Sequence, residues 1–185
     1  MKKFGFLFFA LALVVGLIAA NASSFGKLTS GSIFEFHVGS VKGSGKVASE
    51  SRDVSGFHGI DVSNAMQVEV ALDKGYSCSI DADDNLLPLI RTEVRDGVLR
   101  IWTEKSISTS TPVKVRISMP DIDSIDASGA ASVVANGLSN ESITIDASGA
   151  SKVRLSGKTA KLTVELSGAC GFKGEELTAD TGNIG

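Results

Sequence analysis

Histidine, cysteine and concentrated positive charge are scarce in this 185-residue chain, and each scarcity narrows its function. His37 and His58 are its only histidines. A serine nucleophile needs a base in reach, and no aspartate stands in sequence where it would orient either ring, so serine-type hydrolysis is not expected. The only cysteines are Cys78 and Cys170. They could pair in an exported protein or pack apart as small apolar side chains. Neither follows the N-terminal apolar run closely enough to carry a lipid anchor. The 18 Lys and Arg residues face 21 Asp and Glu, a net charge of −3. They nowhere form the concentrated basic surface that nucleic acid calls for. Gly45-Lys46 falls short of a phosphate-binding loop: the earlier glycine is replaced by Ser40, and Val47 stands where Ser or Thr is needed. No cofactor and no membrane span in the mature chain are expected.

What is present begins with an export signal over residues 1–22. Lys2 and Lys3 precede an uncharged apolar run from Phe4 to Ala20, and Ala20-Asn21-Ala22 supplies a small-x-small exit. The run is shorter than most spanning helices; the alternative is an uncleaved anchor, which would make the protein a membrane-held envelope sensor. Cleavage after Ala22 leaves one domain's worth of chain and moves the net charge to −5 by removing two lysines. Residues 23–51 are rich in Gly and Ser and are expected to be a flexible lead-in, in which Ile33-Phe34-Glu35-Phe36 could pair as an edge strand.

From Gly56 onward the apolar period is two. Val68, Val70 and Leu72 alternate with Gln67, Glu69 and Ala71; the Asp73-Lys74-Gly75 turn and Cys78, Ile80 and Ala82 come next, which predicts a hairpin over 66–82. A helical turn capped by Asp83-Asp84 is expected over Asn85-Leu86-Leu87-Pro88-Leu89-Ile90. Asp96-Gly97 predicts a second hairpin over 92–103, with Trp102 near its end. Val113 to Ile117 alternates again and Pro120 stops it.

The most informative feature is repetition. Ile125-Asp126-Ala127-Ser128-Gly129-Ala130 recurs as Ile145-Asp146-Ala147-Ser148-Gly149-Ala150 and, more loosely, as Val164-Glu165-Leu166-Ser167-Gly168-Ala169. An outlying copy, Ile60-Asp61-Val62-Ser63-Asn64-Ala65, has Asn in the glycine position, and Thr181-Gly182 is expected to begin another. Aligned on that position, Ile60, Ile125, Ile145 and Val164 form one apolar column, and Val68, Val133, Val153 and Phe172 another. Acidic and serine columns alternate with them. One copy cannot bury its apolar face alone, but stacked copies can. The glycines then fall where the chain turns a corner with positive φ. The expected fold is all-β, a right-handed parallel β-helix or β-solenoid with β-hairpins in the N-terminal half. The alternative is an antiparallel β-sandwich.

The stretch Arg52-Asp53-Val54-Ser55-Gly56-Phe57-His58-Gly59-Ile60-Asp61-Val62-Ser63, the Val68-Glu69-Val70 strand and the repeated Asp-Ala-Ser-Gly-Ala resemble the head GIN domain family, labelled putative auto-transporter adhesin. The resemblance covers 52–185 and implies a β-helix-like fold at the bacterial envelope or surface, with no catalytic residues to carry over. Family members usually continue through further Ser-Gly-Ala copies. Here Gly185 falls inside an unfinished coil, so the expectation is either a C-terminally truncated chain or a bare end that needs a cap, which a second copy of the chain could supply.

Three sets of side chains carry the candidate chemistry. Asp126, Asp146 and Glu165, with Asp61 joining them, should stack on one outer face about 4.8 Å apart. Such a row invites calcium, yet one carboxylate per coil is far from the six to eight oxygens calcium takes; a polar outer position suffices to explain the column. Ser128, Ser148 and Ser167 are read as corner hydrogen-bonders. Lys152, Arg154 and Lys173 sit at loop-facing offsets, where they could touch an anionic polymer or be ordinary surface charge. Trp102 could stack on a sugar or pack at a rim, as could Phe172. Asn140-Glu141-Ser142 has the form of a glycosylation acceptor and is read as chance. The sum is an exported, non-enzymatic binding or structural module with an envelope polysaccharide or protein as ligand. The competing reading is a carbohydrate-active β-helix.

Overall fold

The computed structural model describes residues 39–185. The signal segment 1–22, the lead-in over 23–38, its Ile33–Phe36 piece and His37 lie outside the described residues. The unit is all-β. Its first strands are β1 (Val41–Lys42), β2 (Val47–Arg52), β3 (Gly59–Val62), β4 (Met66–Leu72) and β5 (Ser77–Asp83). A 3₁₀ turn at Leu87–Leu89 precedes β6 (Ile90–Arg95), β7 (Val98–Thr103), β8 (Ile107–Ser108) and β9 (Val113–Met119). The repeats then supply β10 (Ser124–Ala127), β11 (Ser132–Gly149), β12 (Lys152–Gly168) and β13 (Gly171–Ile184).

Eleven of these strands make one mixed sheet, and β1 pairs separately with β8. The repeats pair in parallel and in the register that their alignment predicts. Ile60, Ile125, Ile145 and Val164 stand opposite one another on β3, β10, β11 and β12. Val68, Val133, Val153 and Phe172 do the same on β4, β11, β12 and β13. Each long strand serves both columns. Residues 132–136 of β11 pair with β4, and residues 144–147 pair with β10. Between them Gly137 has φ 79°, a conformation that lets the chain change direction without a Cβ penalty. The enclosed side chains form a core of β-branched residues, Ala and Leu, from Val133 and Ala135 through Leu138 to Ile143, Ile145 and Ala147 within one repeat. The repeats do not pair as antiparallel hairpins of a sandwich, because successive copies pair in parallel.

The second corner is tighter. Gly129, Gly149 and Gly168 all have positive φ, and Asn64 takes the same conformation at φ 71°. Here main chain packs on main chain: Ala150 N donates to Gly129 O at 2.7 Å and Ala169 N to Gly149 O at 2.7 Å. A Cβ on Gly149 would lie 2.6 Å from Gly129 O. No flexible side chain can yield there.

Four expectations are corrected. The hairpin over 66–82 does not form: β9 lies between β4 and β5, parallel to the first and antiparallel to the second. Alternation fixes that both are strands but not their partner, and β9 offers Val113, Val115 and Ile117 to both. The lead-in is not flexible over 39–51, for β2 pairs antiparallel with β5 along its whole length. Polar ties order the Gly/Ser segment before it: Asn85 Nδ2 donates to Lys42 O at 2.9 Å, Ser44 N to Asn85 Oδ1 at 2.9 Å, and Ser44 Oγ to Asp84 Oδ1 at 2.6 Å. These partners lie some forty residues away, so local composition cannot show them. The helical turn near Leu87 is present, but no side chain caps it, since Asp84 is taken by Ser44 and Asp83 by Thr109. Finally, Thr181-Gly182 is not a new Ser-Gly corner. Gly182 stands opposite Leu162, and Ile184 occupies the isoleucine column.

The hairpin over 92–103 does form, as β6 and β7 around Asp96-Gly97, both with positive φ. Pro120 comes directly after β9. Cys78 and Cys170 are unpaired thiols. Burial pushes Cys78 up to about 11, against a smaller opposing pull from Arg52.

The bare corner and the two thiols each lead to a measurable outcome. Gly149→Ala should destabilise the unit by about 2 kcal/mol or more, from left-handed strain and the main-chain clash, while Asn64→Gly should stay within a few tenths; urea unfolding of both variants measures the contrast. At pH 8 a thiol reagent should modify Cys170 rapidly in the native protein and Cys78 only after unfolding, because the thiolate is the nucleophile. Cys170→Ser should remove the rapid phase.

Candidate functional site

In a strand with one face buried, alternate residues point outward, so stacked copies present columns of like residues. On the face bearing β3 and β10, Asp61, Asp126, Asp146 and Glu165 stand in register. Arg100 heads the column opposite Asp61, and its Nε donates to Asp61 Oδ2 at 2.9 Å. A groove of about 480 Å³ runs over this column, lined by Asp61, Arg95, Arg100, Ser124, Asp126 and Asp146. Three of the four acidic positions named from the repeat are therefore brought together, with Glu165 next along the row. They form a line rather than a cage: among the described residues no three His, Cys, Asp or Glu side chains are arranged to hold a metal ion.

Asp126 stands between Asp61 and Asp146 in the row. Partial desolvation and then the charges of Asp61 and Asp146 raise its pKa, and Arg100 opposes them. A carboxyl that holds its proton more tightly in the folded state loses stability as pH rises through its titration. Asp126→Asn should therefore melt higher than the wild type at pH 7, by about 2 °C or more for a loss of about 1 kcal/mol of repulsion. That advantage should vanish as pH falls below 3.8, the group's ordinary value. Thermal melts across pH 3 to 7 decide it.

The serines fall beside the acids. Ser148 and Ser167 are opposite one another, and Ser63 and Ser128 occupy the equivalent place on β3 and β10 strand ends. The histidine reading needs correction. Asp123 does orient His58, with Nδ1 2.9 Å from Asp123 Oδ2. The other nitrogen faces the 96–97 turn, since a Cβ on Gly97 would lie 2.2 Å from His58 Nε2. Ser124 gives its hydroxyl to Asp123 at 3.1 Å rather than to the ring. Sequence separation of 65 residues hid the His58–Asp123 pair.

A second groove lies on the face bearing β4. Lys152 and Arg154 are exposed between buried Val153 and Leu155, so they are strand residues and not loop residues as their offsets suggested. Lys173 stands opposite Arg154. The three line a groove of about 390 Å³ over Val134, and a neighbouring one of about 300 Å³ shares Arg154 and Lys173 and adds Glu175 and Glu176. The acidic and basic rows thus occupy different faces. Phe172 is half-buried against the core. Asn140 donates Nδ2 to Ile122 O at 2.6 Å, so the amide of the Asn140-Glu141-Ser142 triplet is engaged in the fold.

Trp102 is half-exposed and lines a further groove of about 270 Å³ with Asp61, Ser63, Glu93 and Arg100. The sequence marked it only as ambiguous; its adjacency to Asp61 comes from the pairing of β7 with β3.

The family described as "Putative auto-transporter adhesin, head GIN domain" matches residues 56–185. The chain belongs to this family. Solved structures share the fold of this head GIN domain. A putative adhesin from Parabacteroides merdae superposes with TM-score 0.70 at 24% identity, over 75% of this chain and 60% of the other. One from Parabacteroides distasonis gives 0.67 at 25% identity, over 79% and 67%. A putative lipid binding protein from the same species gives 0.69 at 19% identity, over 79% and 65%. The chain thus spans less than two thirds of the Parabacteroides merdae protein. No curated protein matches it. No helix among the described residues is long and apolar enough to cross a membrane.

Proposed function

We propose that this head GIN domain is an exported, non-enzymatic module of the bacterial envelope that binds its ligand on the extended outer faces of a right-handed parallel β-solenoid. The observation that carries the reading is the in-register stacking of outward columns, Asp61–Asp126–Asp146–Glu165 on one face and Arg154–Lys173 on another. Rows of repeated groups at strand spacing, about 4.8 Å, suit a ligand that is itself extended and repetitive. The grooves above them are shallow troughs along the sheet surface. Export is supported by Lys2-Lys3, the apolar run to Ala20 and the Ala20-Asn21-Ala22 exit, and by the family's adhesin description. The oriented histidine meets no serine of the repeat row, which favours binding over hydrolysis.

The test is an array of glycans, envelope polymers and surface proteins probed with the chain expressed whole from an exporting host, in calcium and in chelator. Specific binding without turnover of the bound polymer is expected. Cleavage of any polymer, or an absence of binding across the array in both conditions, would defeat the reading.

A further inference from the structure

Trp102 is the only tryptophan of the chain. On β7 the buried residues are Leu99 and Ile101, so Arg100 and Trp102 share the outer face. The indole there is half-buried, and its open part lines a groove. Its polar neighbours are held in place. Arg100 is fixed by its bond to Asp61 at 2.9 Å, and Ser63, Glu93 and the apolar Ile101 complete the lining. On the far side Arg91 is drawn to Glu104, with Nε 2.8 Å from Oε1.

We propose that this groove is a subsite for one uncharged pyranose ring of a neutral polysaccharide, which gives a ligand class to the binding module proposed above and rests on that reading. A sugar ring has an apolar C–H face and a rim of hydroxyls, and the groove supplies a partner for each: the indole for the face, and the Arg100 fork, the Asp61 carboxylate and the Ser63 hydroxyl for the rim. Its volume, about 270 Å³, lies below the usual range for a drug-sized ligand and fits a single ring. Its charge selects as well. Arg100 is matched by Asp61, leaving Glu93 to disfavour an anionic sugar; the basic groove of Lys152, Arg154 and Lys173 lies on another face. From Trp102 the polymer has a track along the sheet, because every step to the next strand, β3, β10, β11 and then β12, presents another acid–serine pair: Asp61 and Ser63, Asp126 and Ser128, Asp146 and Ser148, Glu165 and Ser167.

The single indole reports directly on its own site. The whole chain is titrated with cellohexaose, chitohexaose, maltohexaose and mannohexaose, and with polygalacturonate as the anionic counterpart, reading emission and, in parallel, heat. At least one neutral hexasaccharide should shift the emission saturably. By calorimetry Trp102→Ala should weaken that sugar about tenfold or more, as loss of an aromatic anchor does. Trp102→Phe, which keeps a stacking face, should stay within about threefold, and its unchanged melting temperature guards against misfolding. Hexasaccharide binding indifferent to Trp102→Ala would overturn the subsite, and binding of polygalacturonate alone would overturn the ligand class. Both results leave the module a binding protein. If the polymer and protein array also fails, the wider reading falls with it.

Discussion

The unit depends on main chain touching main chain where successive repeats turn at Gly129, Gly149 and Gly168. Gly129, Gly149 and Gly168 stack with no side chain between them, and the amides of Ala150 and Ala169 bond to the carbonyls of the glycines one coil back. A Cβ on Gly168 would meet Gly149 O at 2.6 Å, just as one on Gly149 would meet Gly129 O. Repeats can pair at strand spacing only while that corner stays bare. Asn64 begins the row of corners and takes the same left-handed conformation, at φ 71°.

Once the corner sets the spacing, every column is fixed with it. Isoleucine falls on isoleucine inside, where identical β-branched side chains fill a continuous core. Aspartate falls on aspartate outside, where partial desolvation first and then the like charges of Asp61 and Asp146 raise the pKa of Asp126. The row tolerates this because it is open to solvent and because Arg100 neutralises its first member. The columns that hold the core together and those that face a ligand are thus alternate teeth of the same strands, and neither can shift register without the other.

The N-terminal strands solve a different problem, the end of the stack. Parallel coils would leave open edges, which invite unwanted pairing. On one face β9, β5 and β2 continue the sheet beyond β4, changing from parallel to antiparallel; on the other, β7 and β6 continue it beyond β3. That closing hairpin also carries Arg100 and Trp102, so the element that terminates the sheet furnishes the groove with its charge partner and its indole. At the opposite end β13 pairs with β12 alone among the described residues.

Much of this was legible from the chain alone. Period-two alternation marks the strands, and the repeat of Asp-Ala-Ser-Gly-Ala predicts the register residue by residue, down to Asn64 in a glycine's conformation. Repetition carries such information because each copy meets the same neighbours. Where the chain does not repeat, local pattern identifies a strand without its partner. The tertiary structure alone decided that β9 enters between β4 and β5, that Ser44 and Lys42 are tied down by Asp84 and Asn85, and that His58 finds Asp123. It likewise decided that Lys152 and Arg154 lie on a strand face and that Trp102 stands beside Asp61. These are contacts between residues far apart in the chain whose side chains carry no mark of one another. Alternation specifies which way a residue faces; only packing specifies what it faces.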